Sequence, residues 1–298
     1  MNALLLPIHP PKFNWLFSFL KSIPDNEIET LNFELVLLIS NEKDLIQIKR
    51  AITNLMPEFS KVIKYFNVHE YIEFHLGDPV LLDRYIKNTD RCIVNLKKFA
   101  ALHWAQLYYQ YIAVIDCDTI FNGTTKHTFE RLIQNYQQKK VFGGGINTSD
   151  LIQQIQKESA AYFSQNDYVF IKNITNNFNA YAWFFDVPFY QKSHLSDFFN
   201  YFLDQKKEDY NFWHRIHWES FEHLIYQFYL LCKQDFTFID YGNIARKFIP
   251  EALTYADLNK IQLKYNYYPV WARFRNILNN PENTSINKPE MFYHTDRI

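Results

Sequence analysis

Glycine is scarce in this chain. There are six in 298 residues, and three of them are consecutive, at Gly143–Gly145. None lies in "PIHPPKF", the segment after the first candidate strand, so no glycine-rich phosphate loop opens the fold. Cysteine is scarcer still. Cys92, Cys117 and Cys232 are odd in number, fit no zinc or disulfide spacing, and sit in apolar stretches, which makes a reducing cytoplasm the simpler setting. Charge of one sign is also missing. The formal net charge is -1 and the pI about 6.8, which argues against a nucleic-acid binder that works by bulk electrostatics. Long apolar runs are absent. No stretch approaches the roughly 20 apolar residues of a membrane span. "MNALLLPIHPPKF" lacks a basic leader region and is cut by Pro7, Pro10 and Pro11, so it does not read as a signal peptide.

Hydrophobic residues, by contrast, reach 48% and aromatics 18%. The chain can therefore bury a core and is not disordered. The aromatic excess goes with many Asn, Lys and Ile, as in a protein from an AT-rich genome, so aromatic stripes are not taken as sugar-stacking surfaces. Leu4–Ile8, Phe33–Ser40 and Tyr111–Ile115 read as buried strands, and Ile72–Leu76 as a third strand between the last two. Helices are expected over Phe13–Ile23, from a cap at Asn41 to Leu55, and from a cap at Asn95 to Tyr108. Further helices are expected over His127–Gln138, from Thr148 or Ser149 to Ser164, and over Trp218–Leu231. Tyr181–Tyr190 begins as a strand that Pro188 ends, or turns into a helix, and Phe236–Asp240 is a last strand. Continuous apolar strands alternating with helices indicate an α/β fold with a mixed sheet covered on both faces. With no repeat and no low-complexity linker, residues 1–298 read as one domain with two functional halves, about 1–122 and 123–298.

The segment "YYQYIAVIDCDTIF" carries the chemistry. A strand places residues i and i+2 on one side, so Asp116 and Asp118 bring two carboxylates together at its end. Like charges so placed repel unless a cation lies between them, and a divalent metal is the usual one. In open α/β sheets, ligands bind beyond the carboxyl ends of the strands. The alternative is a plain strand-ending turn.

"IAVIDCDTIF", preceded by "NLKKFAALHWA", resembles the Asp-x-Asp region of nucleotide-sugar glycosyltransferases with the GT-A fold, a Rossmann-like sheet. It looks nearest to bacterial transferases of surface-polysaccharide and lipooligosaccharide assembly. "LLLPIHPPKF" and "FELVLLISNEKD" resemble that fold's first two βα units. The resemblance implies a nucleotide-sugar donor, with uridine diphosphate the favoured nucleotide, and Mn²⁺ or Mg²⁺ between the aspartates and the diphosphate. Asp118 would be the main metal ligand, and Asp116 would hold the metal or the donor ribose. In "FYHTDRI" the tail offers His294, and also Asp296, as a third ligand; a mobile surface histidine is the plainer reading. The donor base would lie near His9, Pro10, Asn41 and Glu42, and Lys97 or Lys98 near the donor phosphates; plain turns for the first four and an ordinary solvated pair for the lysines are the alternatives. Gly143–Gly145 would either let a ligand approach the main chain or make a tight bend.

An inverting transferase also needs a carboxylate near the acceptor hydroxyl. Glu219 is the first candidate, then Asp186, with Glu222 beside them. Glu219, Glu222 and His223 share one side of the expected helix, where a solvated stripe is the ordinary reading. The expected partner is a saccharide or glycolipid acceptor, and the expected place is the cytoplasm or the inner face of its membrane. Arg246, Lys247, Lys260, Lys264, Arg273 and Arg275 make the C-terminal third locally basic, suited to touching an anionic leaflet. Two rival readings are a haloacid-dehalogenase-type phosphatase with Asp116 as nucleophile and a non-catalytic carbohydrate-binding protein on a transferase fold. Ile120 stands where the dehalogenase motif carries Thr or Val. A nucleotidyltransferase would want the missing glycine-rich loop.

Overall fold

The computed structural model describes residues 1–9, 13–117, 119–121, 125, 127–146, 150–181, 187–204, 211–240 and 292–294. In chain order the elements are β1 (Asn2–Pro7), α1 (Phe13–Lys21), β2 (Glu34–Ile39), α2 (Glu42–Leu55), β3 (Ile63–Asn67), α3 (Val68–Tyr71), α4 (Pro79–Lys87), α5 (Ile93–Ala105) and β4 (Tyr111–Val114). There follow β5 (Thr119–Phe121), α6 (Thr128–Gln137), β6 (Lys140–Ile146), α7 (Asp150–Ala160), α8 (Gln165–Ile174), β7 (Ala180–Tyr181) and β8 (Phe189–Gln191). The last are α9 (Lys192–Leu203), α10 (Phe212–Arg215), α11 (Glu222–Lys233), β9 (Thr237–Asp240) and β10 (Phe292–His294). The chain divides into two compact units. The first comprises Met1–Asp118, Gly123–Arg131 and Phe189–Glu222; the second comprises Thr119–Asn122, Leu132–Pro188 and His223–Ile298.

The first unit is built on a five-stranded sheet of order β3-β2-β1-β4-β8. The first four strands are parallel and β8 runs antiparallel to β4. This is the mixed α/β sheet expected. Ala3–Leu6 and Leu35–Leu38 are fully buried, as strands covered on both faces must be. Each buried Leu or Val side chain contributes roughly 1.5–3 kcal/mol. Helix α5 packs against β1, β2 and β4. In the second unit β6 lies between antiparallel β7 and parallel β9, and β10 pairs antiparallel with β5. Among the described residues no helix is long and apolar enough to cross a membrane.

Several local expectations are corrected. The third strand is Ile63–Asn67, while Ile72–Leu76 forms a π-helical turn continuing α3. Ile72–Leu76, Ile-Glu-Phe-His-Leu, alternates apolar and polar residues as a half-buried strand does; helix punctuation decides against the strand. Asn67 accepts from Glu70 N at the start, and Gly77 closes the turn in the left-handed region at φ 62°. Asn95 is not a cap. It is buried inside α5, and its amide donates to the carbonyls of His217 and Trp218 at 2.8 and 2.9 Å. Pro188 precedes strand β8, and the next helix starts four residues later at Lys192. Helix α11 begins at Glu222, since Trp218–Phe221 is turn and coil. Gly143–Gly145 lies within β6, where the pairing with β7 shifts register between Gly144 and Ile146. The run thus sits at a strand irregularity, which favours residues without a side chain. Thr148, Ser149 and the basic C-terminal third lie outside the described residues.

Candidate active site at the carboxyl edge of the parallel strands

The chain lays down β1, β2 and β3 to one side and then places β4 on the other side of β1. The carboxyl ends of β1 and β4 therefore flank the point where strand order reverses, the place where open α/β sheets bind ligands. Ile8 and His9 follow β1, Ser40 and Asn41 follow β2, and Asp116 follows β4. The backbone pairing runs on past β4, with Ile115 N donating to Leu5 O at 3.1 Å. Helix α5 brings two lysines to this edge. Adjacent residues on a helix point about 100° apart, and Lys97 and Lys98 meet different surroundings.

Lys97 is buried, with its Nζ donating to Ile8 O and to Ser40 Oγ, both at 2.8 Å. It ties the end of β1 to the end of β2. Both acceptors are uncharged, so burial dominates and brings the ammonium down to about 8, against a weaker upward pull from Asp44 and then Cys117. Tyr85 Oη, also buried, donates to Ser40 O at 3.1 Å and holds the same strand end.

Lys98 lies between two carboxylates. Its Nζ is 3.4 Å from Asp116 Oδ1 and 3.5 Å from Glu222 Oε1. Burial works against the charged lysine, but Asp116 and Glu222 together outweigh it and hold the ammonium above the usual lysine range. For Glu222, burial outweighs the opposing pull of Lys98 and leaves the carboxyl above its usual range. The charged lysine is the firmer side of this pair, because it faces two carboxylates and Glu222 faces one lysine. The Glu222 side chain is 2% exposed and that of Asp116 is 40% exposed. Glu222 and the largely covered Lys98, 12% exposed, thus form the floor, and the Asp116 carboxylate is the group that reaches solvent.

The other expected site residues fall as follows. Asn41 caps α2, its Oδ1 accepting from Asp44 N at 3.0 Å and its amide donating to Asp44 Oδ2 at 3.3 Å. Glu42 Oε2 accepts from Asn67 Nδ2 at 3.4 Å. His9 is exposed at the end of β1. Glu219, in the turn before α11, is 6% exposed, with Oε2 3.7 Å from His217 Nδ1. Glu219, Glu222 and His223 are all buried, so the ordinary solvated stripe does not form. His294 lies in β10, where its Cα partner is Thr119, the residue after Asp118 in the chain. Pro10, Asp118 and Asp186 lie outside the described residues. The sequence reading missed the framework around this edge: Arg84, whose guanidinium donates to His214 O and Ile216 O at 2.6 and 3.0 Å, and Asn95. Both hold backbone carbonyls more than 120 residues away, and no local spacing signals that.

No family model matches the chain, and no curated protein matches it. Among solved structures it is similar to residues 1–349 of S. aureus TarS, at 13% identity and a TM-score of 0.33, covering 95% of this chain and 73% of that one. It is also similar to mouse xyloside xylosyltransferase 1 in its apo form, at 11% identity and a TM-score of 0.40, covering 99% and 97%. At this distance the likeness carries no functional argument.

Proposed function

We propose that the chain is a metal-dependent glycosyltransferase. It moves a sugar from a nucleotide-sugar donor to a saccharide or glycolipid acceptor in surface-glycan synthesis. One observation carries the reading: a partly exposed carboxylate, Asp116, stands at the switch point of a parallel sheet, oriented by a largely covered lysine, 12% exposed, that a second carboxylate keeps charged. A surface turn needs no such support. A ligand site does, because its groups must be held before the ligand arrives.

The residues fit a hard divalent cation as far as they are described. The Asp116 carboxylate offers oxygen, the donor type that Mg²⁺ and Mn²⁺ prefer. Its Oδ1 faces Lys98, and the side chain keeps 40% exposure. Asp116 and Asp118 would hold the ion, with His294 as the further candidate. The metal, when bound, would neutralise charge developing on the diphosphate leaving group. The chain's own residues set the frame. Lys98 fixes the direction of the Asp116 carboxylate. Lys97 closes the strand ends beneath the nucleotide, with His9, Pro10, Asn41 and Glu42 at its base side. Glu219, or Asp186, accepts the proton of the acceptor hydroxyl if transfer inverts the anomeric centre. Glu222, buried against Lys98, acts as charge partner. The chain would work at the cytoplasmic face of a membrane, where lipid-linked acceptors are reached.

The test is release of nucleoside diphosphate from a panel of uridine, guanosine and thymidine diphosphate sugars with Mn²⁺. The expected result is turnover of one donor class, lost by a factor of about 10³ in Asp116→Ala, the scale on which removing a preorganised electrostatic group acts. Undiminished turnover in that variant contradicts the reading.

A further inference from the structure

A second concave site lies in the first unit, lined by none of the site residues expected from sequence, although His217 in its wall lies 3.7 Å from Glu219. It is a cavity of about 490 Å³ lined by Arg84, Asp90, Arg91, His214, Arg215, His217 and Trp218. Three arginines face one aspartate, so the lining is strongly basic in a chain whose net charge is -1. Guanidinium groups match the planar fork of carboxylate and the oxygens of phosphate.

The walls are fixed in advance. Arg84 spends its guanidinium on the carbonyls of His214 and Ile216 and lies 3.7 Å from Asp90. His214 Nε2 is 2.6 Å from Asp78 Oδ2, and Asp78 in turn caps α4. Trp218 N donates to Asp90 O at 3.1 Å, which joins the two sides of the cavity. The opposite wall is a tight turn in which Asn88, Asp90 and Arg91 all have positive φ, at 51°, 57° and 53°. For Arg91, with neither glycine's freedom nor the short polar side chain of Asn or Asp, that conformation costs roughly 1–2 kcal/mol. The turn is held in it by Ile93 N donating to Asn88 Oδ1 at 3.0 Å and Arg91 N donating to Asn88 O at 3.0 Å. Arg91 itself is exposed, and among the described residues its guanidinium makes no ion pair. Trp218 keeps 38% of its surface in solvent. A charged fork and an aromatic face at one cleft are the two elements that recognise an acidic sugar.

We infer that this cleft binds an acidic saccharide, with Arg91 on its phosphate or carboxylate group and Trp218 on its ring. That the saccharide is the acceptor rests on the transferase reading; the anion site itself does not.

The probes are glucose 6-phosphate, glucuronate, inorganic phosphate and neutral glucose, titrated calorimetrically with and without saturating uridine diphosphate and Mn²⁺. The variants are Arg91→Ala and Trp218→Ala. Alanine at 91 keeps a Cβ at the same φ, so the turn is no more strained than before, and circular dichroism checks the fold. Glucose 6-phosphate or glucuronate should bind at least tenfold more tightly than glucose, and which of the two binds names the acidic group. Affinity should fall at least tenfold in Arg91→Ala and on raising the salt. Trp218→Ala should weaken the sugar phosphate more than inorganic phosphate. The nucleotide should not displace the acidic sugar. Equal binding of acidic and neutral sugars, an unchanged affinity in Arg91→Ala, or full displacement by the nucleotide would overturn the inference. If the acidic sugar binds as expected and no nucleotide binds, the anion site stands and the transferase reading falls.

Discussion

Lys97 and Lys98 are neighbours on one helix, the first buried and the second with only 12% of its side chain exposed, yet their surroundings drive them apart. Lys97 looks toward β1 and β2 and meets a carbonyl and a hydroxyl. Lys98 looks toward the end of β4 and meets two carboxylates. The first is a tether that burial brings toward neutrality, and the second a charge that its partners hold in place. Burial alone does not set the role of a lysine. The formal charge of what faces it does.

The largest expected difference is in stability. Lys98→Met leaves Glu222 buried without its counter-charge and should cost about 3–5 kcal/mol. Lys97→Met removes a disfavoured charge but leaves the Ser40 hydroxyl and the Ile8 carbonyl unpartnered, a cost of about 1–3 kcal/mol each way that largely cancels. Urea unfolding at pH 7 should therefore rank Lys98→Met far below Lys97→Met. Equal losses would break the contrast.

The pH dependence should differ in sign. The folded-state value of Lys97 lies near 8, below the 10.5 of a free lysine. Below pH 8 the buried charge is a full penalty. From 8 to 10.5 the unfolded chain holds a proton that the folded chain does not, so stability rises with pH, by roughly 3 kcal/mol over the window. Lys98 is shifted upward, so its contribution is complete below 10.5 and is lost as pH climbs through its higher folded value. The rise above pH 8 should disappear in Lys97→Met and persist in Lys98→Met. Denaturation at pH 7.5, 9 and 10 checks this, with the difference from wild type removing the shared tyrosine titrations. A slope retained in Lys97→Met would contradict it.

A smaller effect sharpens the same contrast. A double-mutant cycle of Lys98→Met with Glu222→Gln should show a coupling of about 1–3 kcal/mol, whereas Lys97→Met with Glu222→Gln should add within about 0.5 kcal/mol. Smallest of all, Asn41→Ala removes the cap of α2 beside the Lys97 tether and should cost about 1 kcal/mol. A loss near zero would mean that the hydrogen bond from Asp44 N to Asn41 Oδ1 adds nothing.

What could be read from the chain alone follows the range of the interaction. β1, β2 and β4 were legible because a doubly covered strand is a continuous apolar run, and the α2 cap because Asn41 and Asp44 are three residues apart. β3 was misplaced because Ile72–Leu76 alternates apolar and polar residues like a strand and only Asn67 and Gly77 mark it as helical. Asn95 has the composition of a cap, but its partners are the carbonyls of His217 and Trp218. At the site, Asp116 and the two lysines could be singled out by position and type. Their division of labour could not, since Glu222 lies more than 100 residues further on and meets Lys98 only through the fold. The basic cleft was invisible for the same reason: its arginines come from three separate segments.

The most direct test of the central claim is calorimetric titration of uridine diphosphate with and without Mn²⁺ on wild type, Asp116→Ala and Asp118→Ala, with guanosine and thymidine diphosphates and cytidine monophosphate alongside. Metal-dependent binding of one nucleotide, lost in both variants while the fold is kept, is the predicted result. Folded wild-type protein that binds no nucleotide, or binds one equally well without Asp116, would contradict the reading of this strand edge as a donor site.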